Sequence, residues 1–252
     1  MVRVIMHGCN GAMGRVITGL AAEDQELEIV AGIDVNPGPD QGYPVFPSLN
    51  DCDVQADVVV DFASARAVDG LLDYCEAHGM PLVLCTTGLS EEQVRRVGSA
   101  SEKTAILRSA NMSLGVNLLM KLVQDAARVL AGAGFDIEIV EKHHRRKKDA
   151  PSGTALALAD SINSAMEDQY RYTYDRSHRS EPRDPGEIGI SAVRGGTIVG
   201  EHDVIFAGTD EVITFNHTAY SRAIFAKGAL SAAKFLAGKE PGLYDMADVV
   251  GL

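Results

Sequence analysis

The first hundred residues alternate between short, almost continuous apolar runs and stretches in which apolar positions recur every three or four residues. Val2–Met6 (VRVIM), Leu27–Ile33 (LEIVAGI), Asp57–Phe62 (DVVVDF), Pro81–Cys85 (PLVLC) and Thr104–Arg108 (TAILR) read as strands. Met13–Glu23, Ala65–His78 and Ser90–Ser99 read as the helices between them. Strands this rich in Val, Ile and Leu, with helices between, indicate a parallel sheet covered on both faces. The predicted architecture is a doubly wound α/β domain.

After Asn111 the pattern changes. Leu114, Leu118, Leu119, Leu122, Ala126 and Leu130 mark one face of a long helix that stops at Gly132. Phe135–Val140 is a strand, Lys142–Lys148 is an unbroken run of basic and imidazole side chains, and Gly153–Met166 is a helix. Residues 168–186, rich in Arg, Asp and Pro, read as a long surface loop. Three strand-like runs follow (EIGISAVRGG, TIVGEHDVIFAG and DEVITFNHTA), parted by glycine turns and expected to pair antiparallel. A last helix over Arg222–Leu236 ends before Gly238. The expected organisation is a doubly wound domain over residues 1–112 and 218–252, to which the last helix returns, and a second domain over 113–217.

Composition narrows the function. The chain has 252 residues, enough for two modest cores, and is 46% hydrophobic and 23% charged. Its net charge of −12 sets the basic run apart and argues against non-specific nucleic-acid binding. The four cysteines contain no C-x-x-C pair, which argues against a zinc site or a disulfide scaffold and for a reducing cytoplasm; no metal is expected. The apolar stretch at the N-terminus is too short for a signal peptide, and no run approaches the ~20 residues of a membrane span.

Two segments carry chemistry. HGCNGAMGR places Gly8, Gly11 and Gly14 between the first strand and the first helix. Glycines there let backbone N–H groups approach a pyrophosphate at a helix N-terminus. Asp34 ends the second strand, 20 residues beyond Gly14, where a carboxylate accepts from ribose hydroxyls. The same carboxylate repels a 2′-phosphate, and Val35, Asn36 and Pro37 supply no cation to offset it. Arg15, across the loop, offers partial compensation. NADH is the preferred cofactor, with NADPH left open. The plainer alternative is a helix–sheet turn whose aspartate caps a loop.

The second segment is EKHHRRKKDAPSGTA, residues 141–155. Ser152 suits an N-cap, so the N–H groups of Gly153 and Thr154 lie at the positive end of a helix dipole, ready for a carboxylate. An imidazole with an ordinary pKa of about 6.5 suits general acid work beside that seat. A small polyanionic substrate accounts for both features; a solvated charged face or a nucleic-acid patch is the bland alternative. His202 and His217 read as structural or interface residues, and Asp61 and Asp149 as loop-orienting carboxylates. Arg194 reads equally as a substrate contact or a turn stabiliser.

The same segment resembles the signature of the 4-hydroxy-tetrahydrodipicolinate (dihydrodipicolinate) reductases, E-x-H-H-x-x-K-x-D-A-P-S-G-T-A. The resemblance extends to G-x-x-G-x-M-G (8–14), DF (61–62), TTG (86–88), NMSLGVN (111–117), EIGI and VRGGTIVGEH (187–202) and GLYDMADVVGL (242–252), so it covers essentially the whole chain. It implies an NAD(P)H-dependent reduction of a cyclic imine dicarboxylate on the diaminopimelate route to lysine. The implied fold is a Rossmann-like domain plus an α+β domain whose open mixed sheet joins four chains into a homotetramer. By position, His143 resembles the general acid and Lys147 a second proton donor. His144, Ser152, Gly153 and Thr154 resemble substrate contacts. Gly8, Cys9, Asn10, Gly11, Ala12, Met13 and Asp34 resemble the cofactor loop and its ribose carboxylate. Cys85, Thr86 and Thr87, with Ser109, Ala110, Asn111 and Met112, resemble two further cofactor loops. Cys85 stands where the family usually has glycine and Met112 where it has phenylalanine, which bears on cofactor affinity. A different two-domain amino- or imino-acid dehydrogenase, or a nucleotide-sensing regulator acting on nucleic acid, are the competing readings; the net charge and the lack of a recognition-helix module oppose the latter.

Overall fold

The structure, a computed structural model, describes residues 1–36 and 38–251; Pro37 and Leu252, invoked above for cofactor choice and for the terminal motif, lie outside the described residues. In chain order the first elements are β1 (Val2–His7), α1 (Ala12–Ala21), β2 (Leu27–Ile33), β3 (Val45–Phe46), β4 (Val58–Asp61), α2 (Val68–His78), β5 (Leu82–Leu84), α3 (Glu91–Ser101) and β6 (Ala105–Leu107). Then come α4 (Leu114–Leu130), β7 (Asp136–His143), α5 (Gly153–Ala165), β8 (Arg171–Tyr174), β9 (Glu187–Arg194), β10 (Gly200–Ala207) and β11 (Val212–Ala219). The chain ends with α6 (Ala223–Leu236), β12 (Gly242–Tyr244) and α7 (Met246–Val250). Two compact units result: Met1–Ser113 with Ala223–Gly251, and residues 114–222.

The first unit holds a parallel sheet in the order β12-β6-β5-β4-β1-β2-β3. Side chains alternate across a strand, so one apolar run serves two cores. Val4, Met6, Val58 and Val60 meet Ile17 of α1 and Ala229, Ala233 and Leu236 of α6. Ile5, Val59, Leu82 and Ile106 meet Leu71 and Leu72 of α2 and Val97 of α3. Each such side chain stabilises the unit by about 1.5–3 kcal/mol, which explains the absence of polar alternation in the sequence. The small residues of α6 allow close approach: a Cβ on Gly228 would lie 1.6 Å from the carbonyl oxygen of Met112. Strand order reverses at β1, with β2 on one side and β4 on the other. The crevice beyond the strand ends at such a reversal is where open α/β sheets bind ligands.

The second unit is a mixed sheet in the order β11-β10-β7-β9-β8, covered on one face by α4 and α5. Two expectations are corrected here. The last three long strands are not one antiparallel series: β10 and β11 pair antiparallel, but β9 runs parallel to β7 and lies on its other side from β10. The glycine turn at 195–196 therefore leads across β7 instead of closing a hairpin. Second, the polar stretch 168–186 contains β8, parallel to β9. Polarity hid this strand because its anchors are polar: Asn163 both donates to the Tyr170 carbonyl and accepts its N–H. Beyond β8, Arg176 and Arg183 fasten the loop to Glu187, Glu138 and Asp136.

Candidate active site

In the first unit, the Gly8 amide donates to the Ile33 carbonyl and the Gly11 amide to the Gly8 carbonyl, folding the loop between β1 and α1 back over the sheet edge. Gly8 has φ +82°, and a Cβ on Gly14 would sit 2.3 Å from the Gly8 oxygen, so this turn needs glycine at both places. The Asp34 carboxylate accepts the Asn10 and Asn36 amides at 3.0 and 2.9 Å. Arg15 donates to the Asn10 carbonyl. A cavity of about 350 Å³ opens here, lined by Gly8, Asn10, Gly11, Asp34, Phe62 and Ser64, among others.

Of the other expected cofactor residues, Cys9 is buried beneath the loop, Ala12 begins α1, and Met13 packs on the core. Cys85, Thr86 and Thr87 follow β5, and Ser109, Ala110, Asn111 and Met112 follow β6; neither group lines this cavity, although both lie at the same edge of the sheet. The Thr86 hydroxyl is buried without a hydrogen-bond partner among the described residues. Burial, then the nearby Asp61, pushes the Cys85 thiol well up, so it stays protonated. The glycine cradle, the strand-end carboxylate and the orphaned hydroxyl fit a pyridine dinucleotide. Among the lining residues not foreseen is His7, whose Nδ1 lies 2.8 Å from the buried Asp61 carboxylate. Asp61 also accepts the Ala63 amide, as a loop-orienting residue does.

In the second unit, alternate positions of β7 point Ile137, Ile139, Glu141 and His143 to one face, all buried. The face is apolar at one end and polar at the other. Glu141, fully buried, accepts Arg194 Nη1 and Nη2 at 2.7 and 2.6 Å, the Ser152 amide at 2.9 Å and His143 Nδ1 at 2.5 Å. Burial pushes the Glu141 carboxyl up, but the hydrogen bonds from Arg194, His143 and the Ser152 amide outweigh it, and the group lies below the ordinary carboxylate range. An ionised carboxylate can only accept, so His143 carries its proton on Nδ1. Burial lowers the His143 imidazole; Glu141 opposes this, while Lys147 and Arg194 add to it, and the net displacement is downward. The ring is therefore neutral near pH 7; Gly200 packs against it, and a Cβ there would lie 3.0 Å from Nε2 and 3.4 Å from Cδ2.

Ser152 caps α5: its Oγ accepts the Ala155 amide at 3.1 Å and shares a 3.0 Å hydrogen bond with His202 Nε2. His202, edge-on to His143 with centroids 5.2 Å apart, is pushed down to about 4, first by burial. A Cβ on Gly153 would meet nothing within 4 Å, so the helix start is open there, with Thr154 next to it. Lys147 lies on the turn after β7, its Nζ 2.7 Å from Asp149. His144 lines a separate depression of about 310 Å³ with Arg145, Arg146, Gly196 and Thr197.

The structure thus joins His143 and Ser152 through Glu141, and sets Lys147, Gly153 and Thr154 on the turn and helix start that follow. Arg194, read from the sequence as a substrate contact or a turn stabiliser, donates to the Asp149 carbonyl at 2.6 Å besides Glu141 and so ties the turn after β7 to β9. Glu141 was missed as a participant, although its place two residues before His143 in a strand puts both on one face. No cluster able to hold a metal occurs among the described residues.

Comparison with known proteins bears on both units. Residues 2–112 match the family model described as dihydrodipicolinate reductase, N-terminus, and residues 115–250 the one described as dihydrodipicolinate reductase, C-terminus. The chain is 56% identical over 250 residues to a 4-hydroxy-tetrahydrodipicolinate reductase of Caldanaerobacter subterraneus, covering 99% of this chain and 98% of the relative. It is 47% identical to one from Clostridium tetani, covering 98% of this chain and 96% of the relative. Among solved structures it is similar to a dipicolinate-bound dihydrodipicolinate reductase from Paenisporosarcina sp. TG-14, with a TM-score of 0.82, 25% identity and 98% of each chain covered.

Proposed function

The chain is a pyridine-nucleotide oxidoreductase of the dihydrodipicolinate reductase family, and from that premise we propose that it reduces 4-hydroxy-tetrahydrodipicolinate to tetrahydrodipicolinate on the diaminopimelate route to lysine. The observation that carries the assignment is the buried His143–Glu141–Arg194 cluster abutting the open, Ser152-capped start of α5. A general acid and a carboxylate seat are what a cyclic imine dicarboxylate requires.

In this reading Gly8, Asn10, Gly11 and Asp34 hold the pyrophosphate and adenosine ribose, and the loops after β5 and β6 hold the rest of the dinucleotide. When bound, the reduced nicotinamide supplies a hydride to the conjugated imine left after the substrate loses water. The Gly153 and Thr154 end of α5 holds one substrate carboxylate, and Lys147 neutralises the other. His143 Nε2 delivers the proton that the resulting enamine-like carbon needs. NADH is the preferred donor, because the Asp34 carboxylate stands where a 2′-phosphate would go and Arg15 is engaged by the Asn10 carbonyl.

A homotetramer formed through the uncovered face of the second sheet fits the exposed Val193 and Val212, which alternate with the core-facing Ile190 and Ile213 on their strands. A cytoplasmic location fits four free thiols, and no helix among the described residues is long and apolar enough to cross a membrane. The test is NADH oxidation followed by absorbance while a dihydrodipicolinate synthase supplies substrate in situ. Turnover is expected, with His143→Gln binding NADH normally and losing about 100-fold or more in kcat; equal kcat in that variant would reject the acid assignment.

A further inference from the structure

We infer that Glu141 is a positioning residue that lets His143 take a proton onto Nε2 when a dicarboxylate binds, so that substrate binding and proton uptake from solvent are coupled. This rests on the proposed reduction of a dicarboxylate. The ring cannot rotate to offer a different nitrogen, because Nδ1–H is held by a carboxylate that Arg194 and the Ser152 amide fix on both oxygens. With Nδ1 committed, Nε2 is the atom free to carry the proton that is delivered, and in the neutral ring Nε2 has none. A general acid must therefore be loaded first.

The surrounding charges make the loading depend on ligand. On β7 itself Glu141 is the facing charge, and Arg194 on β9 cancels it. On the following turn Lys147 and Asp149 form a second balanced pair. From β10 the facing group is His202, with its register partner His217 on β11 behind it, both lowered chiefly by burial and so neutral at pH 7. The fixed charges near the ring sum to about zero, so burial dominates and the empty site disfavours an imidazolium. Two carboxylates arriving at the α5 start change the balance, since an opposite charge within about 4–6 Å favours the charged form of a group. The Glu141 carboxylate then completes the stabilisation from the Nδ1 side. Proton balance is simple: one proton enters from solvent at Nε2 on binding, leaves to the substrate carbon in the reaction, and the ring returns to neutral.

The test titrates pyridine-2,6-dicarboxylate into the NADH-saturated enzyme by calorimetry at pH 7.5 in buffers of different ionisation enthalpy, which reads protons taken up per ligand bound. Wild type is expected to take up about one proton, His143→Gln about none, and Glu141→Gln less than about a third, with kcat of the last lowered by about 100-fold and KM for NADH unchanged. Nitrogen-15 NMR of the histidines should show His143 as the Nδ1–H tautomer in the free wild type, and Glu141→Asp should recover part of the uptake. Wild-type binding without proton uptake overturns the inference, as does a Glu141→Gln enzyme with wild-type uptake and kcat. Should Glu141→Gln fail to fold, the comparison of wild type with His143→Gln decides alone. Wild-type turnover without uptake sinks only the coupling, whereas absence of turnover sinks the assigned reaction as well.

Discussion

Gly200 offers a direct test of the geometry around the acid. It begins β10, packs against the His143 ring, is buried, and its φ lies outside the left-handed region, so alanine adds a methyl group without backbone strain. That methyl would lie 3.0 Å from His143 Nε2 and 3.4 Å from Cδ2, where ordinary contacts begin near 3.4 Å. The ring must therefore yield by about half an ångström, because Nδ1 is anchored to Glu141 and cannot swing away. Crowding of this kind costs about 1–3 kcal/mol in a packed interior, and the reduced freedom of the unfolded chain returns about 0.4–1 kcal/mol. The net loss of stability should be about 1–2 kcal/mol, or a Tm lower by about 2–6 °C. Catalysis should suffer more visibly. A misplacement of 1 Å can cost about 100-fold, so half that distance predicts about a tenfold fall in kcat, or about 1.4 kcal/mol of barrier. The assay is NADH oxidation with enzymatically supplied substrate, beside a thermal melt and a direct titration of NADH, whose affinity should not change. A Gly200→Ala enzyme with kcat within twofold of wild type would show that Nε2 is not the proton-delivering atom.

Three further outcomes are expected. Asp34→Ser should raise KM for NADH by about 10- to 100-fold, the cost of losing hydrogen bonds to a charged acceptor, and move the kcat/KM ratio toward NADPH; parallel kinetics with both nucleotides decides it. Lys147→Ala should lower kcat and weaken substrate retention together, and unchanged steady-state kinetics would remove Lys147 from the site. Hydrogen bonds from Thr173, with the Asp184 amide and Arg176, hold the Glu187 carboxyl down to about 2. A depressed carboxyl stabilises the fold above its unfolded value near 4.5 and loses that contribution as pH falls through the folded one. The Tm deficit of Glu187→Gln should thus be full above about pH 5 and close toward pH 2, and a deficit independent of pH would refute the ion-pair account of the loop.

The parallel sheet of the first unit was legible because its strands are buried on both faces and write that fact as unbroken Val and Ile. The glycine loop was legible for a similar reason: Gly8 and Gly14 are required by backbone geometry, which leaves a fixed spacing in the chain. The second sheet was harder. Pairing of β7 with both β9 and β10 depends on contacts 51 to 71 residues apart, and no local pattern encodes which neighbour a strand will choose. β8 was hidden because polar side chains anchor it. Within the site, the basic run and the Ser152 cap could be read from residue types. The roles of Glu141 and Arg194 could not, since a carboxylate and a guanidinium 53 residues apart become partners only once β9 lies beside β7.

The first unit is assembled from two stretches of chain separated by the whole of the second. During synthesis, every strand of the second unit leaves the ribosome before α6, the helix that shields Val4, Met6, Val58 and Val60, has been made. Until then the nascent nucleotide-binding half carries a bare greasy flank, and its maturation must wait for the final thirty or so residues. Chains broken off late in translation would consequently retain the half that carries His143 while lacking a finished nucleotide-binding half.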